Sequence, residues 1–445
     1  MSIYKFIDSS DNDRTYDYKI LVYPNITFQK DLEKDSYVVV LGNIIRELNK
    51  VRDDIHWTIL SPQHIESLDL ENTEQLILPL PSYPNAMRLH FDQKTIIKAI
   101  DFRKNDFDIV YSHLPEHTLQ LKNVFLNETN IQPKFIGYTH WTEFPEITNY
   151  AATVMDINFL GLLEMDKCGV NTQGQKNLIL KNAKTNFNDD VINRLDEILE
   201  PQYLGWEIPK YENQTTDKKI IVFNHRPHTY KNYPWFLEQM DALWKIRKDF
   251  EVWVPLADST DGREYLTNDK YDRKGYFSKL SSCYVGVCAK QKYSGWAVSA
   301  TDGMSVGVPY LFSDDDYYHE LAQDAGIYYN DNEFVDKIDN LLDMENIRNE
   351  WSKKSLERFE QGKWKNAIIP FNNMIDDTIK NLPMLKNDTD TYEKVVDFIH
   401  RKKSVTKSEI LNMLNWGVRI SFSGYRNRLR NEPTIRFTKN RYEVI

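Results

Sequence analysis

The chain has 445 residues, a formal net charge of −10, 41% hydrophobic residues and 13% aromatic residues. This length exceeds one ordinary hydrophobic core and predicts two or three domains, and the composition excludes a disordered protein. Three cysteines cannot form a disulfide framework, and none has zinc-site spacing, which favours a reducing, cytoplasmic setting. Because the sequence contains neither a signal peptide nor a long apolar run, we expect no membrane partner.

The first half alternates apolar runs with amphipathic segments. An apolar run at 18–24 predicts a strand, and the next segment predicts a helix because its apolar residues recur at helical spacing. These residues are Tyr37, Val40, Leu41, Ile44, Ile45 and Leu48. Further strands are predicted at 55–60, 74–81, 107–113 and 134–141, a helix at 91–104, and a strand followed by a helix at 167–180. This alternation predicts a doubly wound parallel sheet.

The pattern restarts after a polar connector at 198–217. A second series begins with a strand at 218–226 and a helix at 233–248, and continues with strands at 250–256, 283–289, 308–312 and 325–330. The predicted fold class is therefore α/β, with two Rossmann-like domains that face a cleft. The predicted bounds are 1–200 and 201–380, with a return helix near 363–380.

The last segment has a different pattern. After a predicted linker at 381–390, residues 391–445 carry 12 basic and 5 acidic side chains, a balance of +7 against −17 for the rest. Three helices are predicted at 391–402, 404–415 and 421–432, with Thr406 as an N-cap, followed by a β-hairpin at 433–445. This order predicts a small α+β winged helix-turn-helix domain.

The segment 294–312, SGWAVSATDGMSVGVPYLF, carries the most specific motif. It resembles the signature of retaining GT-B glycosyltransferases of the family-four-like group, in which an acidic residue stands seven positions before a Gly-Val-Pro proline, as Asp302 does before Pro309. The resemblance implies a helix N-terminus beside the donor diphosphate and a carboxylate that accepts from ribose hydroxyls. Ser294, followed by Gly295, stands where the family has a glutamate, so the contacts to the transferred sugar differ.

The stretch NHRPHTYKN, 224–232, follows the first strand of the second series. The family has Gly-Arg at this place and a lysine five residues after the arginine, and Arg226 and Lys231 have this spacing, with His225 replacing the glycine. Basic residues at a strand end indicate an anionic ligand. The resemblance implies that Arg226 and Lys231 neutralise the departing nucleotide diphosphate.

The first half supplies two histidines at strand ends. The resemblance places His140 at the donor sugar or the acceptor, as a catalytic residue, and His113 as a weaker candidate. A packed histidine is the alternative for both. Asp314 and Asp316 form an Asp-x-Asp pair of the kind that binds metal in another glycosyltransferase fold, but here a solvated loop is the expectation. We predict no metal site, no required cofactor beyond the donor, and leave a divalent metal requirement open.

Basic residues of the tail suit a nucleic acid. Arginine pairs with phosphate or guanine through its planar fork, and the third helix of a winged helix enters the major groove. Ser421 and Ser423 are further predicted phosphate contacts. The predicted DNA-binding residues are Arg426, Arg428, Arg430, Arg436, Lys439 and Arg441. The alternatives are a winged helix used for protein contacts and a basic face that is merely solvated.

Together these features resemble bacteriophage DNA base glycosyltransferases, and imply a nucleotide-sugar donor, in the commonest case a UDP-sugar, and a hydroxymethylated base as acceptor. Such an enzyme must flip its base out of the duplex, and Trp141, Phe144 and Tyr150 could stack on it. Two alternatives stay open. One is a glycosyltransferase acting on a glycan, lipid or protein; the other is a non-catalytic, sugar-sensing DNA-binding regulator.

Overall fold

The computed structural model describes most of the chain. The described residues are 6–8, 18–25, 32, 35–78, 91–102, 107–129, 133–139, 151–291, 296–382, 389–406, 409–410, 413, 429, 432–438 and 441–445. They divide into two compact units. The first unit spans Met1–Val170, Ile179–Glu200 and Pro370–Ile445, and the second spans Asn171–Leu178 and Pro201–Ile369.

An eight-stranded sheet lies in the first unit, in the order β1-β4-β3-β2-β5-β6-β7-β8. Strands β2 to β7 pair in parallel with their neighbours, whereas β1 joins β4 antiparallel. The strands are β1 (Phe6–Asp8), β2 (Tyr18–Tyr23), β3 (Ile55–Ser61), β4 (Thr73–Ile77), β5 (Ile109–Ser112), β6 (Lys134–Thr139), β7 (Lys167–Val170) and β8 (Leu199–Pro201). Every residue of β3 is buried, as expected for a parallel strand covered on both faces. The predicted strands of the first half are confirmed.

The second unit contains a six-stranded parallel sheet, in the order β11-β10-β9-β12-β13-β14. Its strands are β9 (Lys219–Val222), β10 (Phe250–Trp253), β11 (Leu266–Thr267), β12 (Val285–Cys288), β13 (Tyr310–Ser313) and β14 (Gly326–Tyr329). Four of these lie within the predicted strands, β13 extends one residue beyond its prediction, and β11 is the strand that the pattern missed in this sheet. Because β11 has only two residues, it offers no alternation to recognise.

Helices connect the strands of both units. They are α1 (Ser36–Asn49), α2 (Gln93–Ala99), α3 (Thr118–Thr129), α4 (Ala151–Leu163), α5 (Gln173–Ala183), α6 (Asp189–Ile198), α7 (Tyr233–Ile246), α8 (Arg273–Ser281), α9 (Val298–Ser305), α10 (Asp316–Ala322), α11 (Phe334–Asp343), α12 (Glu345–Gly362), α13 (Trp364–Lys380) and α14 (Thr389–Lys402). Within the described ranges, no helix is both long and apolar enough to span a membrane.

Helix α1 shows how closely the pattern predicted the packing. Its N-cap is Asp35, whose carboxylate accepts from the Tyr37 N–H at 2.8 Å. The buried face includes Val38, whereas Tyr37 and Val40, predicted to be buried, are partly exposed. The predicted helix is confirmed, and its buried face includes one apolar residue that the helical spacing had not selected.

The C-terminal residues form a three-stranded antiparallel sheet, β15-β17-β16. Its strands are β15 (Ser404–Thr406), β16 (Ile435–Thr438) and β17 (Arg441–Val444), which confirms the predicted hairpin. The helix predicted to start at residue 404 starts later, because Thr406 ends β15 and caps the next turn. Thr406 Oγ1 accepts from the Glu409 N–H at 3.2 Å, and the Glu409 carboxylate accepts from the Thr406 N–H at 2.7 Å. The predicted N-cap is confirmed.

Candidate functional site

The candidate site lies where the second sheet reverses its strand order. From β9 the chain adds β10 and β11 on one side and β12, β13 and β14 on the other. Ligands in open α/β sheets bind outside the carboxyl ends of the strands at such a switch point. Because β9 and β12 pair in parallel, the loop that follows β9 meets the end of β12.

His225 occupies the switch point. It follows β9, is buried, and its Nε2 lies 3.1 Å from Sγ of Cys288, the last residue of β12. Its Nδ1 lies 2.7 Å from Oγ of Ser299 in the first turn of α9. Burial, aided by the charge of Lys231, lowers the pKa of His225 to about 3. The ring is therefore neutral at pH 7, so the positive charge of this loop comes from Arg226 and Lys231.

Lys231 is the desolvated cation of the site. It ends a short 3-10 helix, Thr229–Lys231, and its Nζ donates to Oε1 of Gln291. Burial lowers the pKa of Lys231 to about 8, Cys288 opposes this shift, and the charge of Arg226 adds to it. Arg226 itself is exposed. The structure thus brings the two cations that the spacing selected close enough for their charges to interact, with Arg226 exposed and Lys231 partly buried.

Gln291 orients the Lys231 ammonium. Its Nε2 donates to the Tyr318 hydroxyl at 2.6 Å, and its backbone N–H donates to the Tyr317 hydroxyl at 3.0 Å. The side-chain oxygen is thereby left to accept from Lys231. Sequence reasoning missed Gln291, because nothing in its neighbourhood distinguishes it from a solvated loop residue.

Asp302 lies inside α9 rather than at its start. The helix begins at Val298, so Ser299 lies in its first turn and Asp302 one turn later. The Tyr276 hydroxyl donates to Asp302 Oδ2 at 3.4 Å. Burial raises the pKa of Asp302 to about 7, while the charge of Arg273 and the Tyr276 hydrogen bond oppose the rise. The carboxyl is therefore close to half-ionised at neutral pH.

A buried amide links the two motifs. Asn224 Nδ2 donates to the Tyr276 hydroxyl at 2.8 Å and to the Ser299 carbonyl at 2.6 Å, and its Oδ1 accepts from the Tyr310 hydroxyl at 3.0 Å. This network fixes the post-β9 loop against the first turn of α9. Asn224 stands in the quoted stretch 224–232, but the two tyrosines gave no sequence signal.

Two positions of the Asp302–Pro309 motif require glycine for conformational or steric reasons. A Cβ at Gly303 would lie 2.3 Å from the Tyr310 ring, so only glycine lets α9 approach β13 this closely. Gly307 has a φ of +81°, which favours glycine, and ends the helix; the Ser352 hydroxyl donates to its carbonyl at 2.6 Å. The glycines of the motif therefore position α9 against β13 and end it, in addition to the carboxylate that Asp302 supplies.

Three predicted site residues, His140, Ser294 and Gly295, lie outside the described residues, as do Trp141, Phe144 and Tyr150. His113 is described and follows β5. It is buried, burial lowers its pKa to about 3, and its ring packs edge-on against Tyr111 at 4.8 Å between centroids. Its role in the site stays a prediction.

The Asp314–Asp316 pair makes local contacts. Asp314 Oδ1 lies 2.7 Å from His319 Nε2, and Asp316 is the first residue of α10. Among the residues that the structure describes, no group of three or more His, Cys, Asp or Glu side chains is arranged to hold a metal ion.

Two predicted DNA contacts lie on the C-terminal hairpin. Arg436 is exposed and its Nε lies 3.5 Å from the Glu443 carboxylate. The Arg441 guanidinium donates to the Ser404 hydroxyl at 2.7 Å and to the Ser404 carbonyl at 3.0 Å. Arg441 therefore also holds β15 to β17. Outside the described residues lie Ser421, Ser423, Arg426, Arg428, Arg430 and Lys439.

No family model and no curated protein sequence matches this chain. Solved structures do. Sucrose-phosphate synthase from Thermosynechococcus elongatus has a TM-score of 0.59 at 12% identity, over 81% of this chain and 98% of that one. HepE from Anabaena in complex with UDP has a TM-score of 0.57 at 9% identity, over 81% and 100%. The trehalose-6-phosphate synthase OtsA has a TM-score of 0.55 at 13% identity, over 82% and 99%.

These neighbours are GT-B glycosyltransferases, and the two parallel sheets described above match theirs. At 9–13% identity the likeness concerns the fold alone. The chain therefore has two Rossmann-like α/β domains of the GT-B type, followed by a small antiparallel sheet.

Proposed function

We propose that the chain is a glycosyltransferase that moves a sugar from a nucleotide-diphosphate sugar to an acceptor. One observation carries the proposal: the loop that holds Arg226 and Lys231 follows β9 at the switch point of a parallel sheet, and its His225 contacts Ser299 in the first turn of α9. Support comes from the fold neighbour HepE, which was solved with UDP and with UDP-glucose.

The two cations would act on the leaving diphosphate. As the bond between the sugar and the phosphate breaks, negative charge grows on the phosphate oxygens, and fixed cations stabilise that charge. Lys231 is held by Gln291 before any ligand arrives, so little reorganisation is needed. Arg226, exposed, can close on the same group. We propose further that the sugar transfer retains the anomeric configuration, on the strength of the motif resemblance.

Asp302 would bind the ribose of the donor. Its carboxyl already accepts from Tyr276, and the ribose hydroxyls supply further donors. Such bonds favour the ionised form and would lower the pKa of Asp302 from about 7 when the donor binds. His225, Ser294 and Gly295 complete the proposed donor site, and His140 is proposed to contact the donor sugar or the acceptor.

The test is donor turnover by a paired variant. With a panel of nucleotide sugars, the wild type should release free nucleotide, and the Arg226→Ala/Lys231→Ala protein should lose at least about 100-fold in rate. Lys218→Ala is the matched control, because this exposed lysine precedes the opposite, amino end of β9. Equal turnover by the wild type and the paired variant would refute the assignment.

We propose a base in DNA, hydroxymethylated in the simplest case, as the acceptor. The support is the excess of +7 in residues 391–445, together with two arginines on the hairpin there. Incubation with a donor and with modified or unmodified DNA should add the mass of one sugar to a nucleoside. Sugar transfer to a glycan, lipid or protein, but not to DNA, would favour the alternative in which the tail is an interaction module.

A non-catalytic regulator is the second alternative, and Ser294 favours it because the related motif has a glutamate there. A regulator would bind the nucleotide sugar and DNA without releasing nucleotide. Binding and turnover measured on one preparation therefore separate the two functions.

A further inference from the structure

The contact between His225 and Ser299 has no counterpart in the motifs that led to the site. His225 stands where the related motif has glycine, which has no side chain to make such a contact. The imidazole nevertheless joins three elements: it follows β9, touches Cys288 at the end of β12, and reaches Ser299 in α9. A buried ring that replaces glycine at a proposed ligand site calls for a function.

The protonation states restrict what the ring can do. Burial keeps His225 neutral, so one ring nitrogen carries a proton and the other accepts. Burial also raises the pKa of the Cys288 thiol, which therefore keeps its proton. If the thiol donates to Nε2, then Nδ1–H donates to Ser299 Oγ. The Ser299 hydroxyl proton is then left to donate to a ligand.

The backbone around Ser299 is already anchored. Its carbonyl accepts from the Asn224 amide at 2.6 Å, and the Tyr310 hydroxyl, which donates to Asn224, lies 3.3 Å from the same carbonyl. The remaining freedom is the rotation of the hydroxyl, and the bond from His225 removes it. Ser299 is only partly buried, so its oxygen is reachable. Lys231 stands in the same loop as His225, and its charge contributes to the lowered pKa of that ring.

We propose that His225 is a positioning residue: backed by the Cys288 thiol, it holds the Ser299 hydroxyl as a hydrogen-bond donor to the diphosphate of the nucleotide. This inference rests on the proposed donor site and adds a phosphate ligand to it. A hydroxyl pre-oriented in this way binds an anion without losing rotational freedom at that moment. It serves as a neutral donor beside Arg226 and Lys231.

The test compares UDP with uridine, which lacks the phosphates. Ser299→Ala should bind UDP roughly 10- to 100-fold more weakly than the wild type, because one hydrogen bond to a charged group is lost. Its affinity for uridine should be unchanged, a selectivity that a general structural defect would not produce. Ser305→Ala is the control in the same helix, since its hydroxyl donates to the Asp302 carbonyl.

The role of His225 is tested through Ser299. His225→Ala should weaken UDP binding as Ser299→Ala does, and the double variant should be no weaker than either single one. His225→Asn keeps a side-chain N–H donor and should restore part of the affinity for UDP. The same variant provides the test of His225 if the alanine variant does not fold. Unchanged UDP affinity in Ser299→Ala, or an additive loss in the double variant, would overturn the inference. Failure of the wild type to bind UDP would instead refute the donor site itself.

Discussion

The depressed pKa of Lys231 makes donor binding depend on pH in a calculable way. Free protein holds this ammonium with a pKa of about 8, because burial disfavours the charge and Arg226 repels it. A diphosphate nearby reverses both effects, so the charged form binds and the pKa rises in the complex. Through Lys231 alone, the affinity for UDP should therefore fall by about 10-fold between pH 7 and pH 9.

Isothermal titration of UDP between pH 7 and pH 9 measures this dependence. Phosphate groups have their last pKa near 6, and the uracil ring keeps its N3 proton up to about pH 9, so the charge of UDP changes little over this range. The Cys288 thiol does not interfere, because burial raises its pKa. Lys231→Arg is the matched variant: its guanidinium stays charged throughout, so its affinity should not decline over the range in which the wild type weakens. A flat profile for the wild type, or the same decline in the arginine variant, would refute the argument.

Three other outcomes follow from the same contacts. Lys231→Met should raise the free energy of unfolding at pH 7, measured by urea titration, by about 1–3 kcal/mol, because it removes a charge that burial disfavours. The pKa of Lys231 is lower in the folded protein than in the unfolded chain, so the charge destabilises the fold fully below pH 8 and ceases to do so as the pH rises through 10.5. Gly303→Ala should lower that free energy by about 1–3 kcal/mol, because its Cβ would meet the Tyr310 ring, whereas Gly42→Ala in α1, with its nearest neighbour at 3.5 Å, should leave it unchanged or raise it. Arg436→Ala should weaken DNA binding about equally for all sequences and reduce the salt slope by about one; an unchanged slope would remove Arg436 from the interface.

Local patterns were sufficient to predict most strands of both sheets. The strands β3 and β10 lie within apolar runs, because such residues suit a sheet covered on both faces, and short-range spacing reveals this. The hairpin at 433–445 was predicted from an equally local pattern. The strands β1, β8 and β11 were not predicted, because two or three residues offer no repeat to recognise.

The site was predicted only in part. Arg226 and Lys231 are five residues apart in the chain, so a motif could select them together. The partners that set their chemistry are distant in sequence: Gln291 lies 60 residues beyond Lys231, and Tyr310 lies 86 beyond Asn224. No local pattern could have paired them.

The sequence by itself determined which residue types stand at the strand ends, and thereby the anionic character of the expected ligand. Only the tertiary structure decided their charge states, because burial depends on every element packed around a group. Burial makes His225 neutral, holds Lys231 near the point of losing its proton, and brings Asp302 close to half-ionisation. These three shifts follow from desolvation, which exists only once the chain has folded.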